Sequence, residues 1–320
     1  GAAGFPIPPG FVGAGTWIRS IANRDFGTIE VKIITYVPSD ANQQYDVGET
    51  IISEISGTID TDIKIDLLGF NLATVYVDAA WSGCNVGDPA TNTPTAEVAP
   101  GKFCKINAFD KIQDGISNVY GSTVNVAAGT YTATTGALAI IDKPLTLAGS
   151  GQSGATATVL DGGIYGTGED ASGVGNGWPR AIVVRSSNVT VQNLKVTKFQ
   201  GNQTTVGGYG IVARGENAWT GSGDKTFAGL TFKDITFDDA YYGLRLSRTD
   251  GAIVEGLTYG VTSGLPDYGI YATRSTNALI QNNTLNQGSL WLAEGSDNSR
   301  ILNNTITNAP YNGIWVGIGF

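Results

Sequence analysis

Gly210-Ile211-Val212-Ala213, Gly243-Leu244-Arg245-Leu246, Gly269-Ile270-Tyr271-Ala272, Ser289-Leu290-Trp291-Leu292 and Gly313-Ile314-Trp315-Val316 repeat one phrase, Gly/Ser-apolar-x-apolar. A second phrase alternates with it, apolar-x-(Asn/Asp/Gly)-x-x-apolar. It reads Val191-Gln192-Asn193 to Val196, Phe232-Lys233-Asp234 to Phe237, Val254-Glu255-Gly256 to Tyr259, Ile280-Gln281-Asn282 to Leu285, and Ile301-Leu302-Asn303 to Ile306. From Val189 to Trp315 the pair recurs about every two dozen residues, a period typical of solenoids. Strands this short cannot bury an apolar face alone, so they must coil and stack. Asn193, Asp234, Asn282 and Asn303 sit at one bend, where a short polar side chain tolerates left-handed backbone angles; Gly256 meets the same need without a side chain. Amides stacked at ~4.8 Å are expected to form a ladder along the axis.

Composition agrees with tight bends between pleated strands: 45 glycines in 320 residues, with charged residues at 15%. The 19 basic and 28 acidic residues leave a net charge of -9. That balance repels phosphate backbones and anionic headgroups, which excludes nucleic acid as an expected partner. No apolar run reaches ~18 residues, so no membrane span is expected. The chain starts at Gly1 and contains no Met, so the initiator end is taken as removed or never part of this segment.

Cys84 and Cys104 flank a loop rich in Pro, Thr, Asn and Gly. A bridge between them would contribute roughly 3 kcal/mol by chain entropy and place the protein in an oxidising compartment; the alternative is two unlinked thiols. Sequons begin at Asn188, Asn202, Asn282 and Asn303. Asn188 and Asn202 are the glycosylation candidates, because Asn282 and Asn303 already serve the bends.

Three regions follow from patterning. Residues 1–16 have no strand or helix period and read as an extended arm, whose Phe5, Ile7, Phe11 and Val12 are too apolar to leave in water. Residues 17–73 hold alternating runs at Ile29–Ile33, Thr50–Ile55 and Ile59–Leu67, a small β region. Residues 74–320 begin with the strand Thr74–Asp78. Phe109, Ile112, Ile116 and Val119 then fall at helical spacing, which predicts a one-sided helix over about 108–120 that covers the open first rung.

The order Val75-Tyr76-Val77-Asp78, Phe109 to Ile116, Thr123-Val124-Asn125-Val126-Ala127-Ala128-Gly129-Thr130-Tyr131, Asp142-Lys143-Pro144-Leu145-Thr146-Leu147 and Gly149-Ser150-Gly151 resembles the entry to right-handed parallel β-helix domains. Such domains occur in secreted and surface bacterial or archaeal proteins. The resemblance implies an all-β fold: a right-handed parallel β-helix solenoid with an N-terminal capping helix. It leaves activity open, since that pectin-lyase-like superfamily spans lyases, hydrolases, epimerases, tailspikes, adhesins and structural modules.

Candidate site residues come from facing. With Ile211, Leu244, Ile270, Leu290 and Ile314 turned to the core, the residues after them point outward, so Val212, Arg245, Tyr271, Trp291 and Trp315 form one column. Arg245, Tyr271, Trp291 and Trp315 are the expected binding residues, as a contact with another subunit, as a platform for glycans, or as a column covered by a loop such as Asn217 to Lys225. Arg248, Arg274 and Glu294 read as a solvated charge ladder.

The chain has no His, which removes His-dependent nucleophile systems and His-containing metal sites. Asp234, Asp238, Asp239, Tyr242 and Arg245 are the remaining catalytic candidates. Neither the Gly-His-Gly nor the Arg-x-Lys segment of the polygalacturonase-like hydrolases is present, and adjacent aspartates on a strand face opposite ways. No catalytic residue, metal or cofactor is therefore assigned. The coil begun at Gly313 is not completed, so Ile314, Trp315, Ile318 and Phe320, with the apolar arm, are the expected assembly residues. The resulting expectation is an extracellular structural or adhesive protein whose main partner is other copies of itself, joined head to tail in a surface filament. The alternatives are a polysaccharide lyase or glycoside hydrolase acting on acidic glycans, and a tailspike-like glycan-binding protein.

Overall fold

Seven strands, each separated in sequence from its neighbour by strands of the other sides of the coil, make one parallel sheet: Ala139–Ile141, Arg180–Val184, Tyr209–Arg214, Tyr242–Ser247, Tyr268–Thr273, Ser289–Ala293 and Ile314–Gly317. This computed structural model describes residues 15–22, 29–37, 50–59, 73–86, 88–91, 98–119, 122–132, 137–163, 180–199, 207–215, 225–262 and 268–317. The chain divides into two compact units, Gly1–Leu72 with Cys84–Ile106, and Ala73–Gly83 with Asn107–Phe320.

In the first unit Gly15–Ala22, Ile29–Val37 and Thr50–Ile59 pair antiparallel; the alternating runs at 29–33 and 50–55 fall in the second and third of these strands, whereas the first begins inside the span read as the 1–16 arm and is not among the predicted runs. The arm residues Phe5, Ile7, Phe11 and Val12, and most of the run at 59–67, lie outside the described residues. Cys84 and Cys104 form a disulfide with Cα atoms 6.0 Å apart, beside the antiparallel pair Pro89–Thr91 and Val98–Phe103.

The second unit is the solenoid. A 14-stranded sheet wraps two further sides of each coil. On one side, Thr123–Val126, Leu145–Gly149, the start of Val189–Phe199, the start of Thr231–Ala240, Ile253–Glu255, Leu279–Gln281 and Arg300–Leu302 stack in parallel register. On the next side the ends of the two long strands stack with Thr258–Gly260, Thr284–Asn286 and Thr305–Thr307. The corner between these sides is the bend read from the sequence. Asn193, Asp234, Gly256, Asn282 and Asn303 have φ of 58°, 51°, 65°, 56° and 53°. In these five coils the left-handed position is held by short polar residues or glycine, because Cβ makes it costly for others.

The hydrogen-bonded amide ladder is not made by these bend residues. The ladder uses the next position, where Asn283 and Asn304 turn inward. Asn283 Nδ2 donates to Asn304 Oδ1 at 2.8 Å and to the Val254 carbonyl at 3.1 Å, and Asn283 Oδ1 accepts from the Leu257 N–H at 2.8 Å. The expected ladder is thus shifted by one residue. An inward amide can satisfy backbone groups that the bend leaves orphaned inside the coil, whereas Asn282 and Asn303 face solvent.

Helix α1 (Ile112–Asn118) is shorter than the 108–120 span expected. Ala108–Phe109 is instead a strand, paired with Tyr76 and Val77. Phe109 fits either period and is taken by the sheet; Lys111, in extended conformation, caps the helix without a side-chain bond. Ile112, Gly115 and Ile116 are its buried positions, and a Cβ on Gly115 would lie 2.7 Å from Val77 Cγ2, so the helix seats against the first coil closely.

The glycines of the first phrase have a packing cause. A Cβ on Gly210 would stand 2.5 Å from the Phe237 ring, and one on Gly243 would stand 3.0 Å from Tyr259 and 3.2 Å from Phe237. Phe237 and Tyr259, at 1% exposure each, fill the solenoid interior and reach the opposite sheet only because no side chain is there.

Candidate functional site

Parallel register places Val183, Val212, Arg245, Tyr271, Trp291 and Trp315 in one column across the seven-stranded sheet. Ile211, Leu244, Ile270 and Leu290 point the other way and are fully buried, whereas Ile314 on the last described strand is 49% exposed. Val212 also departs from expectation: it lies on the outer face yet is only 6% exposed. The open part of the column therefore starts at Arg245.

A second column runs beside the first. Tyr209, Tyr242 and Tyr268 are in register one above another, and all three precede the glycine of the first phrase. Their rings stack, with Tyr209–Tyr242 centroids at 5.0 Å and 18° and Tyr242–Tyr268 at 5.8 Å and 11°. In the first column Tyr271–Trp291 stack at 4.7 Å and Trp291–Trp315 at 5.3 Å. Tyr268 ties the columns together, 5.6 Å from Tyr271, 5.1 Å from Trp291 and 6.0 Å from Tyr311. Centroid spacings near the ~4.8 Å strand repeat mean that the rings pile along the coil axis. Their faces cover one another.

Arg245 closes one end of this ladder. Its Nη1 donates to the Tyr209 hydroxyl at 2.6 Å, and its guanidinium carbon sits 5.5 Å from the Tyr209 ring and 5.3 Å from the Tyr271 ring, cation–π distances. Arg180 lies 5.7 Å from the Tyr209 ring. Burial pushes the Tyr209 phenol above its usual pKa, and Arg245, Arg180 and Arg214 pull it back only in part, so the hydroxyl keeps its proton.

The carboxylate candidates stand apart from this face. Asp238 is on the 14-stranded sheet and pairs with Lys195 at 2.8 Å. Asp239, 8% exposed with φ of 58°, accepts from the Thr262 N–H at 2.6 Å and from its hydroxyl at 2.8 Å, a bend-holding role. Asp234 occupies the bend column, its Oδ1 against Gly256 of the next coil. Tyr242 and Arg245 belong to the ring ladder on the other sheet. Among the described residues no group of three or more His, Cys, Asp or Glu is placed to hold a metal ion. Arg274 and Glu294 pair at 3.3 Å, both about half-exposed, as expected for a solvated ladder.

Of the remaining candidates, Asn188 is exposed with φ of 57°, while Asn202, Ile318 and Phe320 lie outside the described residues. No described helix is long and apolar enough to cross a membrane. Sequence reasoning missed Tyr209 and Tyr268, and it took Tyr242 as a catalytic candidate and not as a member of this column. Their signal was legible as a Tyr-Gly-apolar-x phrase at 209, 242 and 268, but attention to the glycine hid the tyrosine before it.

Three-sided coils, parallel register and left-handed corners define this class: a right-handed parallel β-helix. Residues 176–319 match the family described as right handed beta helix region, which covers the ladder and every coil that carries it. Comparison with curated proteins and with solved structures gives no match.

Proposed function

We propose that this chain is an extracellular structural and adhesive β-helix protein that makes protein contacts through the ring ladder. The supporting observation is the ladder itself: Tyr242, Tyr268, Tyr271, Trp291 and Trp315 are half-buried neighbours on one sheet face. Aromatic side chains at that spacing are what the centres of protein interfaces use. A sugar platform needs open ring faces, and here neighbouring rings occupy the faces. A protein partner, which packs on ring edges, suits the geometry better than a glycan.

The partner is another copy, added along the axis to give a surface filament. The Cys84–Cys104 disulfide and the net charge of -9 suit an oxidising exterior and a soluble subunit.

Negative-stain microscopy and sedimentation of the full chain test this. Filaments should form, shorten in Ile314→Asp/Val316→Asp, and lose lateral contacts in Tyr271→Ser/Trp291→Ser. A chain that sediments as a monomer at every concentration overturns the filament; unchanged lateral contacts in the second variant overturn the role of the ladder.

A further inference from the structure

The chain has no Met, and its two cysteines are bonded to each other. Thioethers and free thiols, the groups that ordinarily take up oxidising equivalents first, are absent from these 320 residues. Phenol and indole rings are the oxidisable side chains that remain, and the ladder puts them in continuous contact. Trp315 meets Trp291 at 5.3 Å, Trp291 meets Tyr268 at 5.1 Å, and Tyr268 meets Tyr311 at 6.0 Å. Electron exchange between π systems falls steeply with separation, so rings in contact pass an electron far faster than rings set apart in the fold.

The geometry points to a second role for the ladder: a one-electron relay that carries an oxidising hole from the Trp291–Trp315 pair through Tyr268 to the exposed phenol of Tyr311. Two features give it direction. Trp291 Nε1 is buried with no hydrogen-bond partner among the described residues, so an indole radical cation there has no acceptor for its proton and passes the hole on. At the other end, the Tyr209 oxygen already accepts from Arg245 and is buried, which disfavours loss of its proton and trapping of the hole. Tyr311 is 58% exposed, so its phenol proton can leave directly to water.

The electron count closes. A one-electron oxidant at the surface removes an electron from an indole and becomes its reduced anion. An electron from the Tyr311 phenol fills that hole by way of Tyr268, and the phenol O–H proton goes to solvent. The indole returns to its neutral form and a phenoxyl radical remains. The net change is one O–H bond broken, one electron delivered to the oxidant and one proton released.

Pulse radiolysis with the azidyl radical, which oxidises indoles, tests the relay on the full chain at concentrations too low for assembly. Indole radical-cation absorption should decay and phenoxyl absorption grow together, first order, at a rate independent of protein concentration. Tyr268→Phe/Tyr271→Phe keeps the stacking and removes the oxidisable links; it should slow the conversion at least tenfold. Tyr311→Phe should leave the indole radical-cation yield unchanged and lower the phenoxyl yield. Trp291→Phe/Trp315→Phe measures how much of the conversion starts at tryptophans elsewhere; a loss of conversion here supports the relay. Conversion that scales with concentration, or an unchanged rate in Tyr268→Phe/Tyr271→Phe with circular dichroism intact, overturns it.

Discussion

Asn283 donates its side-chain amide to Oδ1 of Asn304, one coil further along, at 2.8 Å. The same side chain accepts from the Leu257 N–H and donates to the Val254 carbonyl, at 1% exposure. Asn283→Leu keeps the volume and leaves those backbone groups buried without partners, a loss of about 3 kcal/mol. Asn282→Ala, at the adjacent exposed bend, loses only left-handed preference, about 1 kcal/mol. Urea midpoints of the two variants should rank in that order.

Gly243 and Gly260 offer a matched pair. A Cβ at Gly243 would stand 2.5 Å from the Gly269 carbonyl oxygen, whereas one at Gly260 meets nothing within 4 Å. Backbone cannot yield as a flexible side chain can, so Gly243→Ala should cost about 2–3 kcal/mol by overpacking. Gly260→Ala should leave the melting temperature nearly unchanged.

Gln287 holds φ of 59° where the corresponding corner of the next coil has Asn308 at 51°. A longer side chain gains nothing from that backbone shape, while asparagine tolerates it. Gln287→Asn is expected to stabilise the chain by about 0.5 kcal/mol, seen as a higher urea midpoint. A lower midpoint would show that the glutamine makes a contact worth more than the strain.

Asp250 supplies a pH signature. Its carboxylate accepts from Asn277 at 2.7 Å and Thr276 at 2.9 Å, and these bonds hold its pKa below the ordinary 3.8. A depressed carboxylate stabilises the fold fully above the unfolded-state value and loses that contribution as pH falls through the folded-state value. Asp250→Ala should therefore melt lower than the parent at neutral pH, and the two curves should converge in acid. A gap that persists at pH 2 would argue against the linkage.

Periodicity made the solenoid legible because each coil repeats the same burial problem, and Val191, Phe232, Val254 and Ile280 solve it at equivalent positions with no exposure at all. One corner was legible because Asn193, Asp234, Gly256, Asn282 and Asn303 all suit left-handed φ, whereas the corners that place Lys198, Arg248, Arg274 and Gln287 at positive φ left no such mark in the sequence. Contact-level detail was not. Whether Asn282 or Asn283 carries the amide ladder depends on which of two adjacent residues turns inward, and the Asn-Asn-Thr string fits both. Phe109 matched a helical stripe equally well and went to a strand because Val77 was there to pair with it.

The site was half legible. Alternation placed Arg245, Tyr271, Trp291 and Trp315 in one outward column, but the tyrosines of the second column lie three residues earlier, ahead of the glycine, where strict alternation puts them on the other face. The aspartate pair at Asp238 and Asp239 illustrates the opposite risk. Adjacent carboxylates draw the eye, yet Lys195 takes one and Thr262 the other.

The hydrogen bonds between neighbouring coils all run lengthwise, from Leu290 N–H to the Gly313 carbonyl at one corner and from Arg300 N–H to the Ala278 carbonyl at another. Tension applied to the two tips loads these layers in series, so the rod should fail at its weakest layer and then peel turn by turn. Sideways force meets the covalent hoop of each turn instead. Vulnerability to stretching thus lies in the hydrogen bonds between turns, and sideways resistance in the chain that forms each turn.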